Sequence, residues 1–586
     1  MCIRDRPYTA YVSSIRDREI VVVKNLNGEP AVTRIAVKGQ PNKMTLNAAQ
    51  TLLFVAEDQS DTVDVIDTAS NTILESIPVV ASLVPSALVD YKGANPNSVV
   101  LSPDEKQLYV TDGNLNCISV VALGGANSND QVVGLIPTGW YPNSVSFSAD
   151  GNLVYAVNGK SPTGANPGWC YGGYGPPNSP NCYTTNQYNP QLVKAGFQTI
   201  PRPSPAQLAT LTAQVFTNNH FSYTDSTDDA TVMAAVHQGV QHVIFILKEN
   251  RTYDQILGDL AVGNGDPDLA MFGEKVTPNQ HNLALSFVTL DNFMDTAEVS
   301  YDGWAWSTSA QAPDVVEHQY PVAYASRGLS LDGGTDRNVN VALPTLAGRK
   351  AADPFTADDP DVLPGQTDVS APDGPGNVVN TGYLWDAARR AKLTVRNYGF
   401  FIDGTLYSTT TNAIPVLRYP AATGTVVAIA ANATLAPFTD PYFRGFDNAL
   451  PDFYRFKEWE REFDARPARQ VRAADIAPAD SRRADTAPAE GSVLQPPLAA
   501  LTLIRFMHDH TGNWSPPGPP LMDRVDSPEK MVADNDYAVG LLVQKIANSA
   551  YANNTLIFVV EDDAQDGGDH VESHRSTCLL YTSRCV

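Results

Sequence analysis

The stretch that decides the fold is Val243-Ile-Phe-Ile-Leu-Lys-Glu-Asn-Arg-Thr-Tyr-Asp254, an apolar run of strand length followed by polar and charged residues. Because the run shows no polar alternation, it predicts a strand covered on both faces, as in a parallel sheet. The pattern returns at Thr555–Val560, which precedes Glu561-Asp-Asp-Ala-Gln-Asp-Gly-Gly-Asp-His570. Both strands therefore deliver carboxylates to the edge where open α/β sheets bind ligands.

A third polar segment follows a third strand pattern. Leu501-Thr-Leu-Ile504 leads into Arg505-Phe-Met-His-Asp-His510, and a helix pattern covers Asp536–Ser549. From His242 onwards strands alternate with helices, which predicts an α/β domain with a mostly parallel sheet covered by helices. Oxygen ligands from two strand ends, with an imidazole nearby, can assemble a metal centre from distant parts of a chain.

The N-terminal part carries a repeat instead. Pro-Asn turns at Gln40–Asn42, Asn95–Asn97 and Tyr141–Asn143 each precede a short apolar-aromatic strand. These strands recur about 50 residues apart, which is a propeller-blade period. About three blades of a partial all-β propeller are predicted over residues 7–160, with an open β-meander as the alternative.

Composition limits the possible functions. The chain of 586 residues exceeds one compact core, and its formal net charge is −24. An acidic surface opposes binding to a phosphate backbone, so nucleic acid is not expected as a partner. No apolar run reaches the length of about 18 residues that a transmembrane segment needs, so none is predicted.

The domain organisation follows from these patterns. Residues 1–6 and 578–586 resemble translated sequencing adapters and are set aside as artefacts. Residues 161–240 are predicted to be a connector, and residues 241–577 the α/β domain, truncated at its C-terminal end. Two low-complexity insertions in that domain are predicted to be surface excursions, Asp353–Pro375 and Ala465–Pro497.

The connector contains a loop rich in Gly, Pro, Asn and Tyr, bracketed by Cys170 and Cys182. Such a loop has few apolar side chains to hold it, so a disulfide between these cysteines is predicted, with two free thiols as the alternative. A disulfide implies an oxidising compartment. A periplasmic or extracellular protein is therefore expected.

Five segments of the α/β part carry the same family resemblance: Lys248–Asp254, Thr277–His281, Leu290–Phe293, Glu298–Ser307 and Glu561–His570. Together they resemble the bacterial phosphoesterase family, which includes phospholipases C and acid phosphatases of the alkaline-phosphatase superfamily. In the N-terminal part, Asp61-Thr-Val-Asp-Val-Ile-Asp67 resembles the YVTN-type propeller repeat. A propeller of that type ahead of such a domain is a known arrangement.

The phosphoesterase resemblance implies a metal-dependent hydrolase with a Ser nucleophile. The implied metal-site residues are Glu249, Asn250, Ser300, Glu561, Asp562, Asp563 and Asp569. Ser300 is the implied nucleophile, because a metal-bound hydroxyl loses its proton readily and can attack phosphorus. Arg251 could clamp a phosphate oxygen or form a structural salt bridge. His510 and His570 are candidates for metal ligand or general acid.

Several alternatives remain open at this stage. Other candidate nucleophiles are Thr252, Thr296, Ser307 and Thr308, and weaker histidines are His281, His508 and His574. Asp569 could bind the metal or orient His570. Two of the three carboxylates Glu561, Asp562 and Asp563 are expected to act as ligands. The oxygen-rich set suits Ca²⁺, Mg²⁺ or Mn²⁺, whereas a histidine ligand favours Zn²⁺, Mn²⁺ or Fe.

The predicted function is hydrolysis of a phosphate mono- or diester at a site with one or two divalent metal ions. The alternative is a catalytically inactive surface-binding protein, in which the propeller recognises a ligand. Retention of Glu249, Asn250 and Ser300 together with Glu561 and Asp562 favours the enzyme. The expected partner is a phosphate-ester substrate.

Overall fold

The computed structural model describes residues 2–4, 8–80, 83–84, 93–124, 130–166, 188–221, 224, 226–324, 347, 368–402, 415–428, 430, 432–465, 498–512 and 521–582. The predicted Cys170–Cys182 disulfide lies outside these residues, as does most of both predicted insertions. The chain divides into two compact units. The first comprises Met1–Gly164, Gln187–Asp225 and Thr296–Ala387, and the second comprises Ala165–Asn186, Ser226–Asp295 and Ala388–Val586.

The first unit contains antiparallel sheets that follow one another along the chain, in the orders β1-β2-β3-β4, β5-β6-β7-β8, β9-β10-β11-β12 and β13-β14-β15. The strands are β1 Cys2–Arg4, β2 Thr9–Ser14, β3 Glu19–Lys24, β4 Ala31–Ala36, β5 Gln40–Leu46, β6 Leu52–Asp58, β7 Thr62–Asp67, β8 Thr72–Pro78, β9 Pro96–Leu101, β10 Gln107–Asp112, β11 Cys117–Ala122, β12 Gln131–Pro137, β13 Pro142–Phe147, β14 Leu153–Asn158 and β15 Gly196–Pro201. Sequential four-stranded sheets of this kind are the blades of a propeller.

Apolar side chains fill the space between consecutive sheets. Tyr11 and Ile20 of the first sheet pack with Leu53 and Val55 of the second. Similar buried clusters join the second sheet to the third and the third to the fourth. The predicted propeller character of this part is therefore confirmed at the level of propeller-like antiparallel sheets.

The structure extends this sheet series beyond residue 160, where the sequence places its boundary. β15 lies in the predicted connector, yet it pairs with β14 in the fourth sheet. Its residues alternate between half-buried and exposed, so its apolar signal is weak. A helix follows Ser204, at Pro205–Asn218, and its Leu208 and Val215 are buried against the sheets.

The helices are α1 Asn189–Leu192, α2 Pro205–Asn218, α3 Thr227–Gly239, α4 Tyr253–Leu257, α5 Pro278–Ser286, α6 Ser300–Ser309, α7 Asp314–Tyr324, α8 Leu384–Arg390, α9 Pro420–Thr423, α10 Asp452–Asp464 and α11 Pro528–Ala547. Within the described residues, no helix is both long and apolar enough to cross a membrane. α11 begins earlier than the predicted Asp536, because Ser527 caps it and Pro528 fits its first turn.

The second unit contains a six-stranded mixed sheet in the order β17-β21-β20-β16-β19-β18. Its strands are β16 His242–Lys248, β17 Val288–Thr289, β18 Val395–Tyr398, β19 Leu501–Arg505, β20 Thr555–Glu561 and β21 Cys578–Thr582. β18, β19, β16 and β20 run parallel, whereas β21 is antiparallel to both β20 and β17. The predicted α/β character is thus present as a mixed sheet with helices.

The segment Cys578–Thr582 has a structural role that its adapter-like sequence does not indicate. As β21 it pairs with β20 along five residues, from Leu556 to Val560. Leu579 and Tyr581 are buried in the same apolar cluster as Ile557 and Val559 of β20. The apolar side chains explain this placement, because they extend the buried face of the sheet beyond β20.

The Pro-Asn turns of the first unit hold the start of α7. Asn97 Nδ2 and the Tyr141 hydroxyl donate to Asp314 Oδ1, at 3.1 and 2.6 Å. The Asp314 N–H donates to Asp58 Oδ2 at 2.7 Å, and Asn95 Nδ2 donates to the carbonyl of Ala312. Side chains from successive sheets therefore converge on a segment that lies some 200 residues later in the sequence.

Candidate functional site

The candidate site lies at the carboxyl edge of the parallel strands in the second unit. β16 has β19 on one side and β20 on the other, with Lys248 directly opposite Glu561. The chain leaves β16 into Glu249 and Asn250, and it leaves β20 into Asp562 and Asp563. All four side chains are buried, so the strand register itself brings the predicted polar segments together.

A buried ammonium group connects two strand ends. Lys248 Nζ lies 2.6 Å from Glu561 Oε1 and 2.8 Å from Asp509 Oδ2, and none of the three side chains is appreciably exposed. Burial lowers the pKa of Lys248, but the Asp509 and Glu561 carboxylates raise it above its usual range, so the lysine is charged. One positive charge faces two carboxylates. Burial correspondingly raises the pKa of Glu561 to about 8.

The two residues after Lys248 have different partners. Glu249 Oε1 accepts hydrogen bonds from the guanidinium of Arg505, including one from Nε at 2.8 Å. Asn250 has a positive φ of 66° and donates from Nδ2 to both oxygens of Asp563, at 2.8 Å each. Asn tolerates this left-handed conformation better than most residues. The turn therefore aims the amide of Asn250 at the carboxylate that follows β20.

Arg251 contacts a backbone carbonyl and an aromatic ring rather than the salt-bridge partner that was one of its predicted alternatives. Its Nε donates to the carbonyl oxygen of Asp509 at 2.9 Å, and its guanidinium lies 5.1 Å from the ring centre of Phe272. A phosphate clamp would require these donors to face a ligand instead. The clamp stays a prediction that only a substrate complex can test.

The residues at this edge fit a divalent cation. Glu561 is 2% exposed, and among the described residues its Oε2 has no hydrogen-bond partner. A buried carboxylate oxygen without a partner is costly, and a cation is one group that would satisfy it. Carboxylate and amide oxygens also form the donor set that Ca²⁺, Mg²⁺ and Mn²⁺ prefer.

Asp569 and His570 belong to a second cluster, centred on Arg575. Ligand atoms of Asp254, Asp569 and His570 lie within 4.8 Å of one another. Arg575 lies among them, with Nη2 2.8 Å from Asp254 Oδ1 and Nε 3.0 Å from both oxygens of Asp569. Burial, and then the Asp254 carboxylate, raise the pKa of Asp569 to about 6. The guanidinium supplies the positive charge here, so the arrangement fits an ion-pair network better than a metal centre.

The candidate histidines of the second unit have protein partners. His570 Nδ1 lies 2.6 Å from Asp254 Oδ2, and His281 Nε2 lies 2.9 Å from Asp259 Oδ1. His510 Nδ1 lies 2.9 Å from the carbonyl oxygen of its neighbour Thr511. His508 is fully buried between Asp534 and the Asn448 carbonyl, and His574 lies beside Glu572. The predicted roles of His510 and His570 as ligand or general acid stay predictions.

Ser300 is the first residue of α6 and belongs to the first unit. Among the alternatives, Ser307 and Thr308 donate their hydroxyl protons to carbonyls one turn earlier in α6. Thr252 caps α4 and donates to the Gly568 carbonyl at 2.7 Å, whereas Thr296 is exposed. These hydroxyls thus have structural partners or lie at the surface, and Ser300 stays the predicted nucleophile.

A further acidic cluster surrounds Lys160 in the first unit. Glu298, Asp302 and Glu317 bring carboxylate oxygens within 4.8 Å of one another. Lys160 Nζ lies 2.7 Å from both Glu298 and Glu317 and 3.7 Å from Asp302. The ammonium group occupies the position that a cation would take. This cluster therefore fixes the N-terminus of α6 and the side of α7 without requiring a metal.

Sequence reasoning assigned no specific role to Lys248, Arg505, Asp509 or Arg575, although these side chains form the buried ion pairs of both clusters. Lys248 ends β16 and Asp509 lies four residues beyond β19, so their position near the end of an apolar strand was the available signal. Arg505 and Arg575 become informative only when the strands are paired. Their partners Glu249 and Asp254 are 256 and 321 residues away.

Comparison with known proteins supports the propeller part. The family model described as "Lactonase, 7-bladed beta-propeller" matches residues 24–165, which is well under half of the chain. No curated protein matches the sequence significantly. The family of the whole chain is therefore not established by these matches.

Solved structures show only remote similarity. A 6-phosphogluconolactonase described as putative, from Bacteroides uniformis, is 17% identical over 26% of this chain and 44% of its own, with a TM-score of 0.22. Hydrazine synthase from Kuenenia stuttgartiensis is 18% identical over 33% and 60%, with a TM-score of 0.23. The periplasmic gluconolactonase PpgL of Pseudomonas aeruginosa is 17% identical over 25% and 46%, with a TM-score of 0.21. Each match spans less than two thirds of the other chain.

Proposed function

We propose that this protein is a metal-dependent hydrolase of phosphoric esters, with its metal site at the carboxyl edge of the second unit. One observation carries the proposal. Adjacent parallel strands deliver Glu249, Asn250 and the Glu561–Asp563 segment to one buried edge, where Glu561 Oε2 has no described partner. An edge that had only a structural role would be expected to pair its buried oxygens.

Each residue has a distinct task in this proposal. Glu561, Asp562 and Asp563 are the oxygen donors for the cation, and Asn250 orients Asp563 through its amide. Arg505 holds Glu249 in place, and Lys248 balances part of the negative charge. When bound, a divalent cation would supply Lewis-acid stabilisation of the phosphoryl oxygens.

Ser300 is the nucleophile that we propose on the basis of the sequence resemblance. Its role is open to a direct test, because Ser307 in the same helix donates to the Gly303 carbonyl and provides a matched control. The proposal leaves mono- and diesters both as substrate classes. It includes a periplasmic or extracellular location, which fractionation of the source cells would check.

The experiment is hydrolysis of p-nitrophenyl phosphate and bis-p-nitrophenyl phosphate by the whole chain, with and without a chelator, together with metal analysis. We expect turnover that chelation abolishes and Mn²⁺ or another divalent cation restores. Glu561→Gln should remove turnover, whereas Glu460→Gln, which alters a surface ion pair with Lys457, should not. Absence of both turnover and bound metal would favour the surface-binding alternative.

A second candidate function is supported by the family-model match to residues 24–165. The first unit would then hydrolyse a lactone, which is also an ester. Release of acid from glucono-δ-lactone, followed at constant pH, tests this activity. Lactone hydrolysis that survives Glu561→Gln would separate this activity from the candidate site of the second unit, whereas absence of lactone hydrolysis would refute this second candidate.

A further inference from the structure

A lysine that follows β14 holds the start of α6, the helix that begins at Ser300. Lys160 comes two residues after β14, and its backbone N–H donates to the carbonyl of Trp140 at 3.1 Å. Its Nζ lies 2.7 Å from Glu298 Oε2, and only 14% of its side chain is exposed. Glu298 lies two residues before Ser300, and both belong to the same unit as Lys160. The ammonium group is therefore attached to the chain directly ahead of the helix.

One carboxylate fixes the same turn from the other side of Ser300. Asp302 Oδ2 accepts a hydrogen bond from the N–H of Glu298 at 3.0 Å, and Asp302 Oδ1 accepts one from the N–H of Val299 at 3.1 Å. A bond from the third helical residue back to the cap sets where a helix begins. Ser300, the first residue of α6, thus lies between two fixed residues, Glu298 and Asp302.

The cluster around Lys160 carries more negative than positive charge. Lys160 Nζ also lies 2.7 Å from Glu317 Oε2 and 3.7 Å from Asp302 Oδ2. Burial lowers the pKa of Lys160, but the Glu298 and Glu317 carboxylates raise it above its usual range, so the lysine is charged. Without the ammonium group, three buried carboxylates would face one another with oxygens within 4.8 Å. Uncompensated buried charges are costly, so the turn before Ser300 would have to move.

The sheets hold the following helix as well. Asn97 Nδ2 and the Tyr141 hydroxyl donate to Oδ1 of Asp314, the first residue of α7. α6 and α7 in turn share one apolar cluster, to which Tyr301 and Val316 belong. Polar side chains from the sheet series therefore hold the N-terminal ends of both helices.

We infer that Lys160 is a positioning residue for the Ser300 hydroxyl, and that the sheet series is the scaffold that holds the nucleophile helix. Lys160 does not contact the substrate in this inference, because it acts through Glu298 and the first turn of α6. The inference rests on the proposed function, which gives Ser300 its chemical purpose. It adds a role in the reaction for a residue of the propeller-like part.

The test is steady-state hydrolysis of p-nitrophenyl phosphate by the whole chain and its variants in the presence of Mn²⁺. Lys160→Met should lower kcat about 100-fold with little change in KM, because a displacement of about 1 Å at the reacting group can cost that much. Lys160→Arg should restore most of the lost kcat, since a guanidinium also pairs with carboxylates. Hydrogen exchange followed by mass spectrometry gives a second measurement, in which the Glu298–Gly303 amides of Lys160→Met should exchange faster than those of the wild type.

Arg18→Met is the matched control. Arg18 also forms a buried ion pair in the first unit, with Nη2 2.8 Å from Asp373 Oδ1, and its other described partner is the carbonyl of Lys38. These partners lie outside α6 and α7, so the variant should melt at a lower temperature but keep the wild-type kcat. If Lys160→Met does not fold, Glu298→Gln removes the charge that Lys160 holds and should itself lower kcat.

The outcomes separate this inference from the proposed function. Wild-type kcat in Lys160→Met overturns the inference, and so does an equal loss of kcat in Arg18→Met, because destabilisation would then account for both. Unchanged exchange of the Glu298–Gly303 amides in Lys160→Met also overturns it. Absence of turnover by the wild type refutes the proposed function and with it the purpose given to Lys160, whereas a loss of kcat that Lys160→Arg restores supports both.

Discussion

Replacing Arg575 by Met should destabilise the second unit strongly. The Arg575 side chain is fully buried, pairs with Asp254 and Asp569, and donates from Nη1 to the carbonyls of Asn264 and Asp291 at 2.7 and 3.0 Å. The substitution leaves two buried carboxylates without their counter-charge, which costs about 3–5 kcal/mol. For a urea m-value of about 3 kcal/mol/M, the unfolding midpoint should fall by about 1–2 M.

Urea unfolding followed by circular dichroism at pH 7 measures this shift, since the unit contains the long helices α10 and α11. Arg418→Met is the control, because Arg418 and Asp523 form an ion pair in which both side chains are more than 40% exposed. Exposed pairs contribute little, so the control midpoint should not move measurably. A midpoint for Arg575→Met equal to that of the control would refute the claim that the guanidinium compensates these acids.

Three further predictions concern both units. Burial, and then the Asp314 carboxylate, raise the pKa of Asp58 to about 7, against about 3.9 in an unfolded chain. Between these two pKa values the folded state holds a proton that the unfolded state has lost, so the free energy of unfolding falls as pH rises from about 4 to about 7. Asp58→Asn should flatten this decline, which thermal melts across that pH range would measure. Ser300→Ala should abolish p-nitrophenyl phosphate turnover while Ser307→Ala retains it, and retained activity in Ser300→Ala would exclude that nucleophile. Thr252→Val should cost about 1–2 kcal/mol in urea unfolding through loss of the α4 cap, and an unchanged midpoint would contradict that role.

The strands of the second unit were predictable because their burial leaves a plain sequence signal. The apolar runs at Val243–Leu247, Leu501–Ile504 and Thr555–Val560 appear as β16, β19 and β20, each within one or two residues of the expected bounds. β15 and β21 were missed for different reasons. β15 is only half-buried, and β21 carries a sequence that resembles an artefact.

The candidate site was predictable only in part. Residues directly after apolar strands, such as Glu249, Asn250 and Asp563, could be assigned to one edge because parallel strands end together. Arg505 could not, since its contact with Glu249 joins residues that are 256 positions apart in the sequence. The cluster of Asp569 and His570 around Arg575 was likewise not predictable, because Arg575 also pairs with Asp254, which lies 321 residues earlier in the sequence.

The order in which the strands are made gives the second unit a slow assembly step. β16 lies at the centre of the sheet, yet Lys248 and its neighbour Glu561 are separated by 313 residues of chain. At a synthesis rate of about 5–20 residues per second, β16 leaves the ribosome roughly 15 to 60 s before β20 exists. Until β19 has been made, the backbone edges of β16 have no partner from either neighbouring strand, and its apolar side chains are exposed, so chaperone binding to the nascent chain should concentrate on this strand.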